Sequence, residues 1–333
     1  MKLHLDRDAF GVLLEDIHSR TGYRTDVLEK DYYVVLILSE LAEMQKDGLP
    51  AYFKGGTALY KALKTTNRFS EDIDLSVDTR GCSRSQSVKR LERATKKYVS
   101  LPRDPEQGRT NRSEVISVYT YDPATAYDSN DALQRFGKLK IEATSFTISE
   151  PVEVSAMLYD LATEEQRRIL ETVYEVSPFN IQTITMERIF VDKLFAAEAY
   201  VRKSSVEHRA FEAAKHIYDL AVLSHNPKIE LLMADPAQME HLLDIRLEEE
   251  AGRLDGIPGV APSEFTFFQS AKDNADVQRA YETMQNQYVL REQDRIAFSY
   301  ATQELLLIEQ KLLKNPAWTE RTVSPQKAAE DEQ

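Results

Sequence analysis

The chain has 333 residues, too many for one ordinary core and enough for two domains. With 42% hydrophobic and 29% charged residues it reads as a well-solvated globular protein. The net charge of -13 argues against a general affinity for nucleic acid, and the longest apolar run, YYVVLIL at 32–38, is far short of a membrane span.

The N-terminal MKLHLDRDAF lacks the apolar core of a secretory signal, so the expected location is the cytoplasm, with no membrane partner. Cys82 is the only cysteine, which rules out an internal disulfide framework. Six scattered histidines show no metal-binding spacing, which argues against zinc.

Taken in chain order, residues 6–46 predict two amphipathic helices, the second running from about Asp26 to the stop at Gly48-Leu49-Pro50. AYF (51–53) predicts a short strand, Gly55-Gly56 a turn, and TALYKALK a helix capped by Thr57. Residues 72–77 alternate, with Ile73, Leu75 and Val77 apolar, the period of a half-buried strand. A basic helix follows: from Arg80 to Arg112 there are ten Lys or Arg against three acids. On it Val88, Leu91, Thr95, Tyr98 and Val99 fall near one face, with Lys89, Arg90, Arg93, Lys96 and Lys97 mostly elsewhere. The helix leads into a stretch rich in Pro, Gly and Arg that reads as a loop. EVISVYTY (114–121), GKLKIEATSF (137–146) and PVEVSAML (151–158) predict three more strands.

From about 163 the spacing is helical almost throughout. The acidic, then Gly/Pro-rich segment PAQMEHLLDIRLEEEAGRLDGIPGVAPSE reads as surface structure. Strands gathered in the first half and helices in the second predict an α+β chain, not an alternating βα one. The expected domains are 1–165, the mixed sheet with its N-terminal helices, and 166–315, mainly helical and completing the site, with 316–333 a loose tail.

Asp72 and Asp74 stand two apart on the predicted strand, so both carboxylates project from one face. Such a pair can hold divalent cations that bridge nucleotide phosphates. An exposed strand face is the ordinary alternative, and Asp6-Arg7-Asp8 shows that a lone acid-x-acid is weak. Gly55-Gly56-Thr57 precedes a helix start, where glycines allow close approach of a phosphate and free N–H groups attract it. An ordinary tight turn has the same composition. Glu142 alternates with Ile141 and Ala143, and beside the Asp72 strand it makes a third carboxylate.

Together, FKGGTALYKAL and RFSEDIDL resemble the nucleotidyltransferase AbiEii/AbiGii toxin family, a branch of the polymerase-β-like nucleotidyltransferases that includes the MenT-like toxins. LEKDYYVVLIL (28–38) is similar to the family's N-terminal helix signature, and the likeness spans most of 25–225. The resemblance implies a polymerase-β-like mixed sheet with flanking helices, followed by a helical C-terminal domain. It implies that Gly55, Gly56 and Thr57 hold the β- and γ-phosphates of an NTP substrate. Asp72, Asp74 and Glu142 would bind Mg²⁺, or Mn²⁺, with Glu142 helping to deprotonate the acceptor hydroxyl. Lys193, in VDKLFAA, would neutralise triphosphate charge. In AKHIYDLAVL, Lys215 and Asp219 match the family's last pattern, while His216 stands where its first Asp is usual.

Asp219 lies four residues after Lys215, close enough for a local ion pair, and either holds its helix or contacts nucleotide or Lys193. Arg68 and Ser70 are further nucleotide-binding candidates: Arg68 could reach phosphate, while for Ser70 a local bond where the strand begins is the simpler role. The implied activity is that of a toxin in a toxin–antitoxin or phage-defence pair, with a cognate antitoxin protein as partner. It would transfer nucleotides to RNA, the tRNA 3′ end favoured, with RNA seated on Lys89, Arg90, Arg93, Lys96 and Lys97. Two alternatives stay open at this level: a same-fold enzyme modifying a small molecule or protein hydroxyl, and a non-catalytic nucleotide- or partner-binding relic.

Overall fold

Two helices open the chain: α1 (Arg7–Thr21), capped by Asp6, whose carboxylate accepts from the Ala9 N–H, and α2 (Thr25–Lys46). The computed structural model describes residues 2–111, 114–126, 137–145, 149–250 and 256–321. By contacts the chain forms two units. The first comprises residues up to Lys64 and Phe69–Ile184, the second Thr65–Arg68 and residues from Thr185 on.

In the first unit, β1 (Ala51–Lys54) leads into α3 (Gly55–Thr57), which continues as a π-helical turn, Ala58–Ala62. Next come β2 (Ile73–Val77), α4 (Arg84–Lys96), β3 (Arg103–Thr110), β4 (Glu114–Thr120), β5 (Lys138–Ser145) and β6 (Ser149–Val154). α5 (Met157–Leu161), α6 (Glu164–Tyr174) and β7 (Phe179–Ile184) complete it. The strands make one seven-stranded sheet in the order β3-β4-β5-β2-β1-β7-β6. β2 runs parallel to β5, and β1 parallel to β7, while the remaining pairs are antiparallel.

Alternation decides the faces of the central strands. Ile73, Leu75, Val77, Leu139, Ile141 and Ala143 are fully buried on one side. Each large side chain so buried contributes about 1.5–3 kcal/mol. The residues between them, Asp74, Lys140 and Glu142, project from the other side. α4 packs against β4 and β5 through Leu91, Ala94 and Thr95.

The second unit is helical: α7 (Met186–Arg202), α8 (Glu207–Leu223), α9 (Pro227–Ala234), α10 (Pro236–Glu250), α11 (Phe267–Ser270), α12 (Ala275–Tyr288), α13 (Phe298–Leu312) and α14 (Pro316–Glu320). α8 is central, packed by α7, α12 and α13. Phe190, Phe195, Tyr218, Phe267 and Trp318 fill the core.

Several expectations need correction. Arg103–Thr110 is an edge strand, not a loop, and Pro105 fits there because an edge strand need not donate every N–H. Phe179–Ile184 is a strand inside the stretch expected to be helical, and the contact boundary falls after it, at 184/185. The acidic segment begins as the helix α10, in which Arg246 and Glu250 are buried and paired. Within the expected tail, Pro316–Glu320 is helical and Trp318 packs edge-on against Phe265, while residues 322–333 lie outside the described ones. Tyr98 is buried as expected, but Val99 lies beyond the end of α4 and is exposed.

Candidate active site

The site of the first unit is built on three neighbouring strands. Lys54 of β1 is paired in register with Asp74 of β2, and Asp74 with Glu142 of β5. Because side chains alternate along a strand, Asp72 and Asp74 share a face with Lys140 and Glu142. Lys140 Nζ lies 3.2 Å from Asp72 Oδ2 and 3.6 Å from Glu142 Oε2. Lys54 Nζ donates to Thr144 Oγ1 at 2.6 Å. Burial, and after it the charge of Glu142, raise the Asp74 carboxyl to about 6; Lys140 and Lys54 pull the other way.

The glycine turn and the acidic pair meet at one point. Gly55 has φ +79°, and a Cβ there would run into the Asp74 carboxylate. Only a glycine lets the backbone pass so close to that side chain. Thr57 is not the helix cap. The helix begins at Gly55, and the buried Thr57 hydroxyl donates to the Asp72 carbonyl at 2.5 Å and lies 2.9 Å from the Ser70 hydroxyl. Its hydroxyl therefore ties the glycine turn to the residue that precedes β2, and Ser70 joins that link.

A hard oxygen donor set of this kind fits a divalent cation such as Mg²⁺: two aspartates on one face with a third carboxylate in register. Among the described residues no group of three or more His, Cys, Asp or Glu is already gathered to enclose one. Lys140 supplies the positive charge between Asp72 and Glu142.

A second cluster lies in the helical unit. Asp219 of α8 is fully buried and accepts from Arg68 through both carboxylate oxygens, at 3.1 and 2.7 Å. Lys193 of α7 donates to its Oδ2 at 2.7 Å. Burial alone would raise the Asp219 carboxyl, but Arg68 and Lys193 outweigh it and hold the carboxyl well below the usual range. Beside them, His216 stacks on Tyr200 with ring centroids 5.4 Å apart. Burial, and then the charge of Lys193, push the imidazole down to about 3, so it is neutral at physiological pH.

The profile of the nucleotidyl transferase AbiEii toxin family, type IV TA system, matches residues 36–306, most of the chain. The chain belongs to the AbiEii nucleotidyltransferase toxin family. It is thus a nucleotidyltransferase, with the mixed α+β fold of that family. Solved structures with likeness include JHP933 from Helicobacter pylori, 18% identical, covering 88% of this chain and 95% of that one at a TM-score of 0.36. MenT4, a nucleotidyltransferase toxin from Mycobacterium tuberculosis H37Rv, is 13% identical, covering 91% and 98% at a TM-score of 0.41. No curated protein matches the sequence.

Within this AbiEii chain the sequence-expected residues fall into two sets. Gly55, Gly56, Thr57, Ser70, Asp72, Asp74 and Glu142 belong to the sheet unit, and Arg68, Lys193 and Asp219 to the helical one. The local pair of Asp219 with Lys215 does not form. Lys215 instead pairs with Glu212 at 2.8 Å and lies over the Phe211 and Tyr288 rings, leaving Asp219 to Arg68 and Lys193. Lys89 and Arg93 of α4 and Lys97, which caps its C-terminus, are exposed at four-residue spacing. Arg90 instead donates to the Asp78 carbonyl, and Lys96 pairs with Glu92. Sequence reasoning missed Lys54 and Lys140. Lys140 has a signal in the sequence, the same alternation that singles out Glu142 two positions on, whereas Lys54 has no acid at that spacing and joins the face only through the pairing of β1 with β2.

Proposed function

We propose that this nucleotidyltransferase toxin uses Asp72, Asp74 and Glu142 to transfer a nucleotide from an NTP to a hydroxyl of RNA, the 3′ end of tRNA being the favoured acceptor. The observation that carries the reading is the close approach of Gly55 to Asp74, which sets the glycines at the start of α3 beside the acidic face. In the reaction the acceptor oxygen attacks the α-phosphorus, a new P–O bond forms, and the α–β bridge breaks to release pyrophosphate. The acceptor proton passes to Glu142. A bound Mg²⁺, held by Asp72 and Asp74, would offset the charge of the triphosphate. Lys140 and Lys54 lie on the same face and supply further positive charge toward the developing oxyanions. Gly55 and Gly56 offer backbone N–H groups to the β- and γ-phosphates, with Thr57 holding the turn in place.

The RNA reading rests on α4. On a chain of net charge -13, Lys89, Arg93 and Lys97 present a local cationic row in the same unit as the carboxylates. The test uses purified protein, each α-labelled NTP, Mg²⁺ and total RNA. Label should enter an RNase-sensitive, tRNA-sized product. The triple variant Lys89→Glu/Arg93→Glu/Lys97→Glu should raise the KM for RNA about tenfold or more while KM for NTP stays unchanged. Label in an RNase-resistant product would overturn the RNA acceptor, and an unchanged KM for RNA would remove α4 from its seat.

A further inference from the structure

The LEKDYY stretch of α2 carries charges that a helix packed on all sides has no ordinary reason to keep. Lys30 and Asp31 are each 1% exposed, and adjacent helix residues point in different directions. Lys30 Nζ lies 3.8 Å from Glu71 Oε2, donates to the Lys138 carbonyl, and sits 5.9 Å from the Tyr121 ring centroid. Asp31 is paired with Lys61 at 2.8 Å through one oxygen and accepts the Met157 N–H at 2.6 Å with the other.

These partners are the anchor points of the acidic face. Glu71 immediately precedes Asp72 in the chain, and Lys138 opens β5, the strand that carries Lys140 and Glu142. Lys61 lies on the helical turn that follows Gly55-Gly56-Thr57. One buried dipeptide therefore grips the start of the Asp72 strand, the start of the Glu142 strand and the helix behind the glycine turn. A merely stabilising contact would be met as well by apolar side chains, because a buried ion pair roughly breaks even against them.

We propose that Lys30 and Asp31 form a positioning clamp that sets the spacing of Asp72, Asp74 and Glu142 for a divalent cation. The proposal rests on the metal-dependent reading above. Neither residue touches substrate or metal; both act through the backbone they hold. Lys30 is the member that reaches both acidic strands, so it is the one to remove.

The experiment compares the full-length wild type with Lys30→Met/Glu71→Gln, which removes both charges of that pair. Mn²⁺ binding is read by electron paramagnetic resonance, and folding by thermal denaturation. The double variant should melt within a few degrees of wild type yet bind Mn²⁺ roughly tenfold more weakly, with kcat falling by a similar factor. A folded double variant with Mn²⁺ affinity within twofold of wild type overturns the clamp alone. One that fails to fold assigns the pair to stability and overturns it equally. A wild type that binds no Mn²⁺ sinks the metal reading, and the clamp with it.

Discussion

Gly55 and Asp74 constrain each other, since the first can have no Cβ where the second places its carboxylate. Gly55→Ala forces both a positive φ and a collision. It should cost about 1–3 kcal/mol in urea unfolding and lower nucleotide transfer further than that loss of stability explains. Asp74 makes a pH-dependent prediction. Its carboxyl is raised to about 6 in the fold against an ordinary value of 3.8, so the native state holds the proton longer than the unfolded one. Stability is therefore lost as pH rises from about 4 to 6, as the folded protein gives up that proton. Asp74→Asn should match wild type near pH 3.5 and be more stable by roughly 1–3 kcal/mol at pH 7.5 in metal-free buffer. Equal stability at both pH values would contradict the burial of Asp74, and after it the nearness of Glu142, as the cause of that raised carboxyl. Asp219 has the opposite sign: its depressed carboxyl contributes stability above its unfolded value, lost as pH falls through the folded one. Asp219→Asn leaves Arg68 and Lys193 as buried cations without their carboxylate, and should cost about 3–5 kcal/mol at pH 7 by chemical denaturation. A loss below 1 kcal/mol would remove Asp219 as the keystone of that cluster.

At the scale of elements, local pattern and long-range placement separate cleanly. The strand and helix of 51–62 and the β2 and β5 strands were legible because alternation and glycine punctuation act over a few residues, although the helix begins at Gly55 itself and not after a Gly-Gly turn. β7 was not, since its six residues lie between helical patterns and its identity comes from pairing with β1 and β6. Ile181 of β7 is 1% exposed, so Ile181→Ala should cost about 2–4 kcal/mol in urea unfolding, and a cost under 0.5 kcal/mol would contradict a place for β7 in the core. β3 escaped notice because RDPEQGRT has no apolar face for alternation to reveal. The same distinction holds in the candidate site. Spacing pointed to Asp72, Asp74 and Glu142 and places Lys140 on the face of Glu142, whereas Lys54 joins them only through strand register. For Asp219 the sequence offered Lys215 at helical spacing, but Arg68 and Lys193 reach it through tertiary contact, which no local pattern encodes.

For the whole molecule, the family assignment and the geometry divide the work. The match over residues 36–306 makes this chain a nucleotidyltransferase toxin, and the sheet face of Lys54, Asp72, Asp74, Lys140 and Glu142 offers a physical basis for that chemistry. Among the described residues no helix is long and apolar enough to cross a membrane. If, as proposed, RNA is held by Lys89, Arg93 and Lys97, its KM should rise with added salt because those contacts release counterions, whereas screening the net charge of -13 acts the other way. A KM for RNA that falls with salt would contradict that seat. The central claim is that Asp72 and Asp74, at the start of β2, are where transfer occurs. Its most direct measurement is label transfer from α-labelled NTPs to total RNA in the presence of Mg²⁺, comparing wild type with Asp74→Asn at equal folded concentration. The expected result is transfer by wild type and a loss of at least a thousandfold in the variant, whose melting temperature is unchanged or higher. A folded Asp74→Asn protein that transfers label at the wild-type rate would contradict the account.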